Sequence, residues 1–176
     1  KEGVFVQDKN HKIYLFSTSG EKLWEQQIEG EILVSVSQID FYKNKKLQIL
    51  FNTKNKLYII DRLGRWVEDY PKDLAFEATN EHALFDYEKN RNYRILIAAK
   101  DGMIYNLDKN AKQISGWKFK ATNSKLTEQI KYFVRNGKDY ILYASKDNNM
   151  QLLARDGTKR VSYTSIPAFN NSPLQL

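Results

Sequence analysis

Apolar residues in this chain fall in short runs, apolar at successive positions rather than at alternate ones, as in Leu57-Tyr58-Ile59-Ile60 and Ile95-Leu96-Ile97. The runs are rich in Ile, Val, Tyr and Phe and are bounded by Lys, Asn, Asp and Gly, which predicts short strands joined by tight turns. A sheet with one wet face would alternate apolar and polar residues, so these strands are expected to be covered on both faces. Helical periodicity is absent from every long window. The segment "KDLAFEATNEHALF" at 72–85 comes nearest, and it reads as a linker with room for one helical turn.

The runs repeat. "KIYLFSTSGEKLW" at 12–24 is answered by "KLYIIDRLGRWV" at 56–67, "MIYNLDKNAKQISGW" at 103–117 and "NMQLLARDGTKRV" at 149–161. The turn residue of each is Gly20, Gly64, Ala111 and Gly157, in steps of 44, 47 and 46 residues. A second run precedes each unit: "GVFVQD" at 3–8, "LQILFNT" at 47–53, "YRILIAA" at 93–99 and "YILYASK" at 140–146. A third lies further upstream: "VSVSQIDF" at 34–41, "HALFDY" at 82–87 and "QIKYFV" at 129–134. A period of this length holding three or four strands predicts an all-β fold of stacked four-stranded sheets, a β-propeller or part of one with about four blades. The whole chain reads as one repeat domain, 1–176, with blade units near 1–28, 32–71, 81–119 and 127–164. The chain starts at the second strand of a blade, and 165–176 supplies the first strand of a further or ring-closing blade. A cut-out piece of a longer propeller is the expectation ahead of a closed ring.

The pattern of apolar, Tyr, x, Leu or Ile, Asp, x, x, Gly and then Trp resembles the repeats of the quinoprotein-like (PQQ-like) β-propellers, among them the outer-membrane assembly lipoproteins. "FDYEKNRNYRILIAAKDGMIYNLDKNAKQISGW" at 85–117 is also similar to FG-GAP and VCBS-like propeller repeats, with Gly116-Trp117 and Asp69-Tyr70-Pro71 at the turn such repeats end on. The resemblance implies a bacterial cell-envelope protein, periplasmic or otherwise extracytoplasmic. Calcium-binding members carry several acids in the first hairpin, where this chain has "YKNKK" at 42–46, "EKNRN" at 88–92 and "RNGKD" at 135–139, so calcium is not expected. No cofactor constellation of the quinone dehydrogenases is present, and no cofactor is expected.

Composition adds limits. The chain has no Cys, which removes disulfides, thiolate metal sites and thiol nucleophiles. No apolar stretch approaches the length of a membrane span, and the start Lys1-Glu2-Gly3 has no signal region, as in a processed or excised piece. No "GxSxG", "HExxH", "GxxxxGK" or "GxGxxG" occurs. His11 and His82 sit at different points of the repeat, which argues against a shared metal or acid–base site, and both read as isolated surface histidines. Trp24, Trp66 and Trp117 read as packing between adjacent blades. Catalysis is therefore not expected.

Charge is the sharpest functional signal. Lys plus Arg number 28 against 21 Asp plus Glu, a net +7. In an up-and-down blade the loops joining strands one to two and three to four share a face. That places Lys43, Lys45, Lys46, Lys89, Arg91, Arg135 and Lys138 beside Lys22, Arg62, Arg65, Lys109, Lys112, Arg155, Lys159 and Arg160. Those 15 cations face six acids, Glu21, Asp61, Glu88, Asp108, Asp139 and Asp156. Such a face suits an acidic protein surface or an anionic envelope polymer, while turn cations also serve solubility and edge protection. Single-strand binders interleave cations with aromatic platforms, and these loops offer little beyond Tyr42, so nucleic acid fits poorly. The expected role is a non-enzymatic interaction scaffold. The alternative is a fragment of a cofactor- or ligand-binding propeller enzyme with a central-channel site.

Overall fold

The structure is a computed structural model and describes residues 3–122, 126, 129–145 and 150–161. Every predicted apolar run forms a strand. The described residues hold fourteen strands in four antiparallel sheets and no helix. The expected terminal strand at 165–176 lies outside the described residues.

The chain divides into two compact units, Lys1–Ala75 and Phe76–Leu176. In the first unit β1 (Gly3–Gln7), β2 (Lys12–Ser17) and β3 (Lys22–Gln27) form one sheet, and β4 (Ser37–Ile39), β5 (Gln48–Asn52), β6 (Lys56–Ile60) and β7 (Lys72–Asp73) form a second. In the second unit β8 (Ala83–Phe85), β9 (Arg94–Ala98) and β10 (Ile104–Leu107) form the third sheet. β11 (Lys131–Arg135), β12 (Lys138–Ala144), β13 (Met150–Leu153) and β14 (Lys159–Val161) form the fourth. Strands neighbouring in sequence pair in all four sheets, because each is joined to the next by a turn too short to cross over.

The third sheet lacks a full fourth strand. Its outer edge is an isolated bridge between Leu107 and Gln113, with the Ile114 amide donating to the Asn106 carbonyl at 2.8 Å. The second sheet makes the same bridge between Ile60 and Trp66, and Val67 donates to Ile59 at 3.0 Å, before the chain returns as β7. No helical turn forms within 72–85. Ala78 instead bridges Ala99, Thr79 donates to the Ala98 carbonyl and Lys100 to the Glu77 carbonyl, so the backbone groups a helical turn would have used are satisfied by the end of β9.

The run-on apolar strands are covered on both faces, as expected. Leu57 to Ile60 and Ile95 to Ala98 are at most 1 % exposed. One core, in the first unit, joins Ile13 and Ile28 of the first sheet's region to Phe51, Tyr58 and Ile60 of the second. A core in the second unit joins Leu96, Ala98 and Ile104 to Ile141, Tyr143 and Leu153. Turn chemistry sets the hairpins. Gly20, Gly64, Ala111 and Gly157, the four residues marked by the repeat, all have left-handed φ, between 60° and 84°. Ala111 is the one of the four with a Cβ to crowd.

Candidate functional site

The basic loops are built on buried or half-buried acids. In the first unit Asp40, 2 % exposed, accepts the Asn44 amide on one carboxylate oxygen and the Lys45 amide on the other, both at 2.9 Å. In the second unit Asp86 takes the Asn90 amide at 3.1 Å and the Arg91 amide at 2.9 Å in the same way. Asn44 and Asn90 then each accept an amide two residues on, from Lys46 and Asn92. Left-handed residues at Lys43 and Lys45, and at Lys89 and Arg91, turn these amides inward onto the carboxylate. The oxygens that would face a cation in a calcium loop are thus spent on the loop's own backbone. The side chains of Lys45, Lys46 and Lys89 point to solvent and make no ion pair or hydrogen bond with any described residue.

A second set of turns repeats this logic. Asp61 accepts the amides of Leu63 and Arg65, and Asp108 those of Asn110 and Lys112. Asp156 accepts the Thr158 amide and hydroxyl; these bonds, with Lys118, hold its carboxyl down at about 2.

The structure sorts the sequence-predicted cations. Arg65 folds back on Asp61, at 2.8 Å from Nε and 2.7 Å from Nη2. Burial alone would raise the Asp61 carboxyl, but the Arg65 guanidinium and the turn amides outweigh it and leave it below the usual range. Arg160 lies over the Tyr140 ring, 5.2 Å from its centroid, and its charge helps to lower the neighbouring Asp139 carboxyl. Arg155 is the most engaged. Its guanidinium sits 4.5 Å over the Tyr87 ring, bonds Asp139 at 2.9 and 2.8 Å and pairs with Glu88. Tyr132 donates to the other Asp139 oxygen; burial and that bond push its phenol up to about 12. This cluster shows that, in the second unit, the third sheet's 86–92 loop, the fourth sheet's β11–β12 hairpin and its 154–158 turn meet on one face. Arg135 and Lys138 flank the hairpin, Lys159 follows the turn, and all three are exposed. Arg62 and Lys112 stand exposed at the tips of their turns, and Lys43 and Lys109 lie in the same loop and turn types.

The tryptophans join neighbouring sheets. Trp24 seats on the Gly64 turn of the second sheet so closely that a Cβ at Gly64 would fall 2.7 to 2.9 Å from it. Its indole donates to the Arg62 carbonyl at 3.1 Å, and Gln26 donates to the Gly64 carbonyl at 2.8 Å. Trp117 of the third sheet covers Gly157 of the fourth in the same manner, and Lys118 donates to the Asp156 carbonyl. Trp66 lies 5.6 Å from Tyr58, within the core shared by the first two sheets.

One expectation about the histidines is corrected. His82 is not on the surface but fully buried at the start of the third sheet, and that desolvation lowers its pKa to about 4. The residues around it in "EHALF" fold inward beside Ala83 and Phe85 and carry it along. His11 is half-buried at a left-handed turn position. Among the described residues no three His, Cys, Asp or Glu side chains are grouped to hold a metal ion.

Antiparallel sheets of three or four strands, stacked in pairs within each unit and repeating every 44 to 47 residues, define a β-propeller, here a partial one. Residues 73–167 match the lambda-carrageenase beta-propeller domain family, and the chain belongs to it. Three solved structures carry the same fold. The chain is 13 % identical to BBS1N in a crystal structure with ARL6DN, with a TM-score of 0.66 over 91 % of this chain and 47 % of that one. BamB from Moraxella catarrhalis is 15 % identical at a TM-score of 0.61, covering 89 % and 44 %. The Neurospora crassa Pan2 WD40 domain is 15 % identical at 0.58, covering 87 % and 43 %. The chain therefore spans less than half the length of these structures. No curated protein matches it in sequence.

Proposed function

We propose that the chain is a non-enzymatic interaction scaffold of the bacterial envelope, binding an acidic protein surface or an anionic polysaccharide through its blade loops. The observation that carries this reading is the loop construction: an acid locks each backbone, while Lys45, Lys46 and Lys89 project without partners among the described residues. Loops fixed in this way lose little entropy on binding, and unpaired cations hold their charge available for a polyanion. The repeat's resemblance to envelope lipoproteins and the likeness to BamB support the location. The complex of BBS1N with ARL6DN supports protein binding as a use of this fold. The family's name includes a carrageenase, and a carrageenan is an anionic polysaccharide, which supports the polymer as ligand.

The same name favours a second reading, that the chain is part of a polysaccharide-cleaving propeller. One experiment separates the two. The chain and a Lys45→Glu, Lys89→Glu, Lys138→Glu variant are titrated with λ-carrageenan and with neutral agarose at low and high salt, and reducing ends are counted. Salt-sensitive binding of carrageenan alone, lost in the variant and without new reducing ends, is the expected result. Equal binding by both proteins, or none, removes the anionic polysaccharide as ligand of the basic loops; new reducing ends establish the cleaving reading.

A further inference from the structure

Asn10, Asn44, Asn90, Asn110 and Asn136 all sit in tight loops of the described chain. An asparagine in such a place has one covalent reaction open to it without any enzyme. The backbone nitrogen of the next residue attacks the side-chain carbonyl carbon, ammonia leaves, and the cyclic imide opens with water to aspartate or isoaspartate. The attacking nitrogen has to be uncrowded and free of hydrogen bonds. In four of these loops it is tied. The His11 amide donates to the Asp8 carbonyl at 3.1 Å and Ala111 to the Asp108 carbonyl at 3.0 Å, while Lys45 and Arg91 donate to the Asp40 and Asp86 carboxylates at 2.9 Å. Asn136 differs. With Gly137 it forms the two-residue loop between β11 and β12, at φ 51° and 68°, the pair of left-handed positions that a hairpin of this length needs. Both residues are exposed, and neither the Gly137 amide nor the Asn136 side chain makes a hydrogen bond with any described residue. Gly137 has no side chain to crowd the attack, and no described atom lies within 4 Å of where its Cβ would stand. Asp101-Gly102 and Asp156-Gly157 could form the same imide, but there the glycine amides are spent on the Ala99 and Ala154 carbonyls, at 3.1 and 2.9 Å.

We propose that Asn136 is a site of spontaneous covalent modification, converted through an imide with Gly137 to isoaspartate and aspartate while Asn10, Asn44, Asn90 and Asn110 persist. The Gly137 nitrogen gives up its proton and bonds to Asn136 Cγ. The Cγ–Nδ2 bond breaks, and Nδ2 leaves with that proton as ammonia. Water then adds to either imide carbonyl and returns a proton to the ring nitrogen. The product carries one more negative charge, set between the exposed Arg135 and Lys138. Isoaspartate also lengthens the main chain by one carbon, in a loop whose two residues fix the pairing of Arg135 with Lys138. On the proposed function the change lowers the charge of a loop that the polyanion meets, but the reaction itself does not depend on that reading.

The test incubates the folded chain at neutral and at mildly alkaline pH and samples it over time. Chymotryptic peptides are read by mass spectrometry, and isoaspartate is counted by enzymatic methylation. The peptide holding Asn136 should gain about 1 Da at least about tenfold faster than those holding Asn10, Asn44, Asn90 or Asn110, whose attacking amides are hydrogen-bonded. The rate should rise with pH, because the attacking amide must lose its proton, and isoaspartate should appear in the product. Cation-exchange chromatography should resolve a less basic form that elutes with Asn136→Asp. An Asn136 that reacts no faster than the other four, or that yields no isoaspartate, overturns the proposal.

Discussion

Replacing Gly64 by Ala tests the joint between the first and second sheets directly. Two costs add. Gly64 has φ +78°, where a Cβ costs about 1–2 kcal/mol against the following carbonyl, offset by about 0.5–1 kcal/mol from the stiffer unfolded chain. The new methyl would also stand 2.7 Å from Cγ and 2.9 Å from Cβ and Cδ2 of Trp24, distances that force the ring off its seat. Overpacking of that kind costs about 1–3 kcal/mol, so the total is about 1–4.5 kcal/mol. Gly30→Ala is the control, in the same unit: its φ is +81° and its nearest contact is Thr53 Cβ at an ordinary 3.8 Å. It should lose only the backbone part, about 1 kcal/mol or less. Urea titrations followed by tryptophan fluorescence and by far-ultraviolet circular dichroism give both values. In a Trp24→Ala background most of the extra cost should vanish. If Gly64→Ala destabilises no more than Gly30→Ala, the Trp24 seat is not a joint, and the interpretation of Trp117 on Gly157 falls with it.

Three other outcomes follow from the described geometry. Ala111→Gly, which relieves the left-handed φ of 60°, should stabilise the chain by about 0.5–1 kcal/mol, read as a higher urea midpoint at unchanged slope. Buried His82 should make stability fall as pH drops from about 6.5 toward 4, because in that window the unfolded chain takes up a proton that the folded chain excludes; the loss reaches about 3 kcal/mol and should flatten in His82→Asn, measured by denaturation across pH. Arg155→Ala should cost about 1–2 kcal/mol, with Arg155→Lys recovering less than half, since the ion pairs are partly exposed and the planar stack over Tyr87 is specific to the guanidinium; a lysine variant as stable as the parent would remove the stack from the account.

The repeat was legible because its turns are forced. A left-handed residue is needed once per hairpin, and glycine or a tolerated substitute marks the place, so Gly20, Gly64, Ala111 and Gly157 could be read before any strand was known. The run-on apolar strands likewise announced cover on both faces. Which cations are already paired was not legible. Arg155 and Arg65 count as cations in a loop tally, yet one is bound to Asp139 and Glu88 and the other to Asp61, and only the fold brings Glu88 and Arg155 together. The loop anchors left a trace in the sequence: "DFYKNKK" at 40–46 and "DYEKNRN" at 86–92 align at 46 residues, with Asp first and Asn fifth in each. Attention to the cations hid the acid that holds them. His82 had no such trace, since it occurs at one blade only and its burial depends on neighbours a single repeat does not reveal.

The two anchored loops carry a consequence for how this surface can change over time. Asp40 and Asp86 hold backbone amides, and the residues at 43, 45, 89 and 91 contribute to loop shape through their left-handed φ. On the proposed function, recognition and stability are therefore inherited from different positions. A lineage can rewrite what these loops attract, exchanging a lysine for an asparagine or an acid, without reopening the question of whether the blade folds.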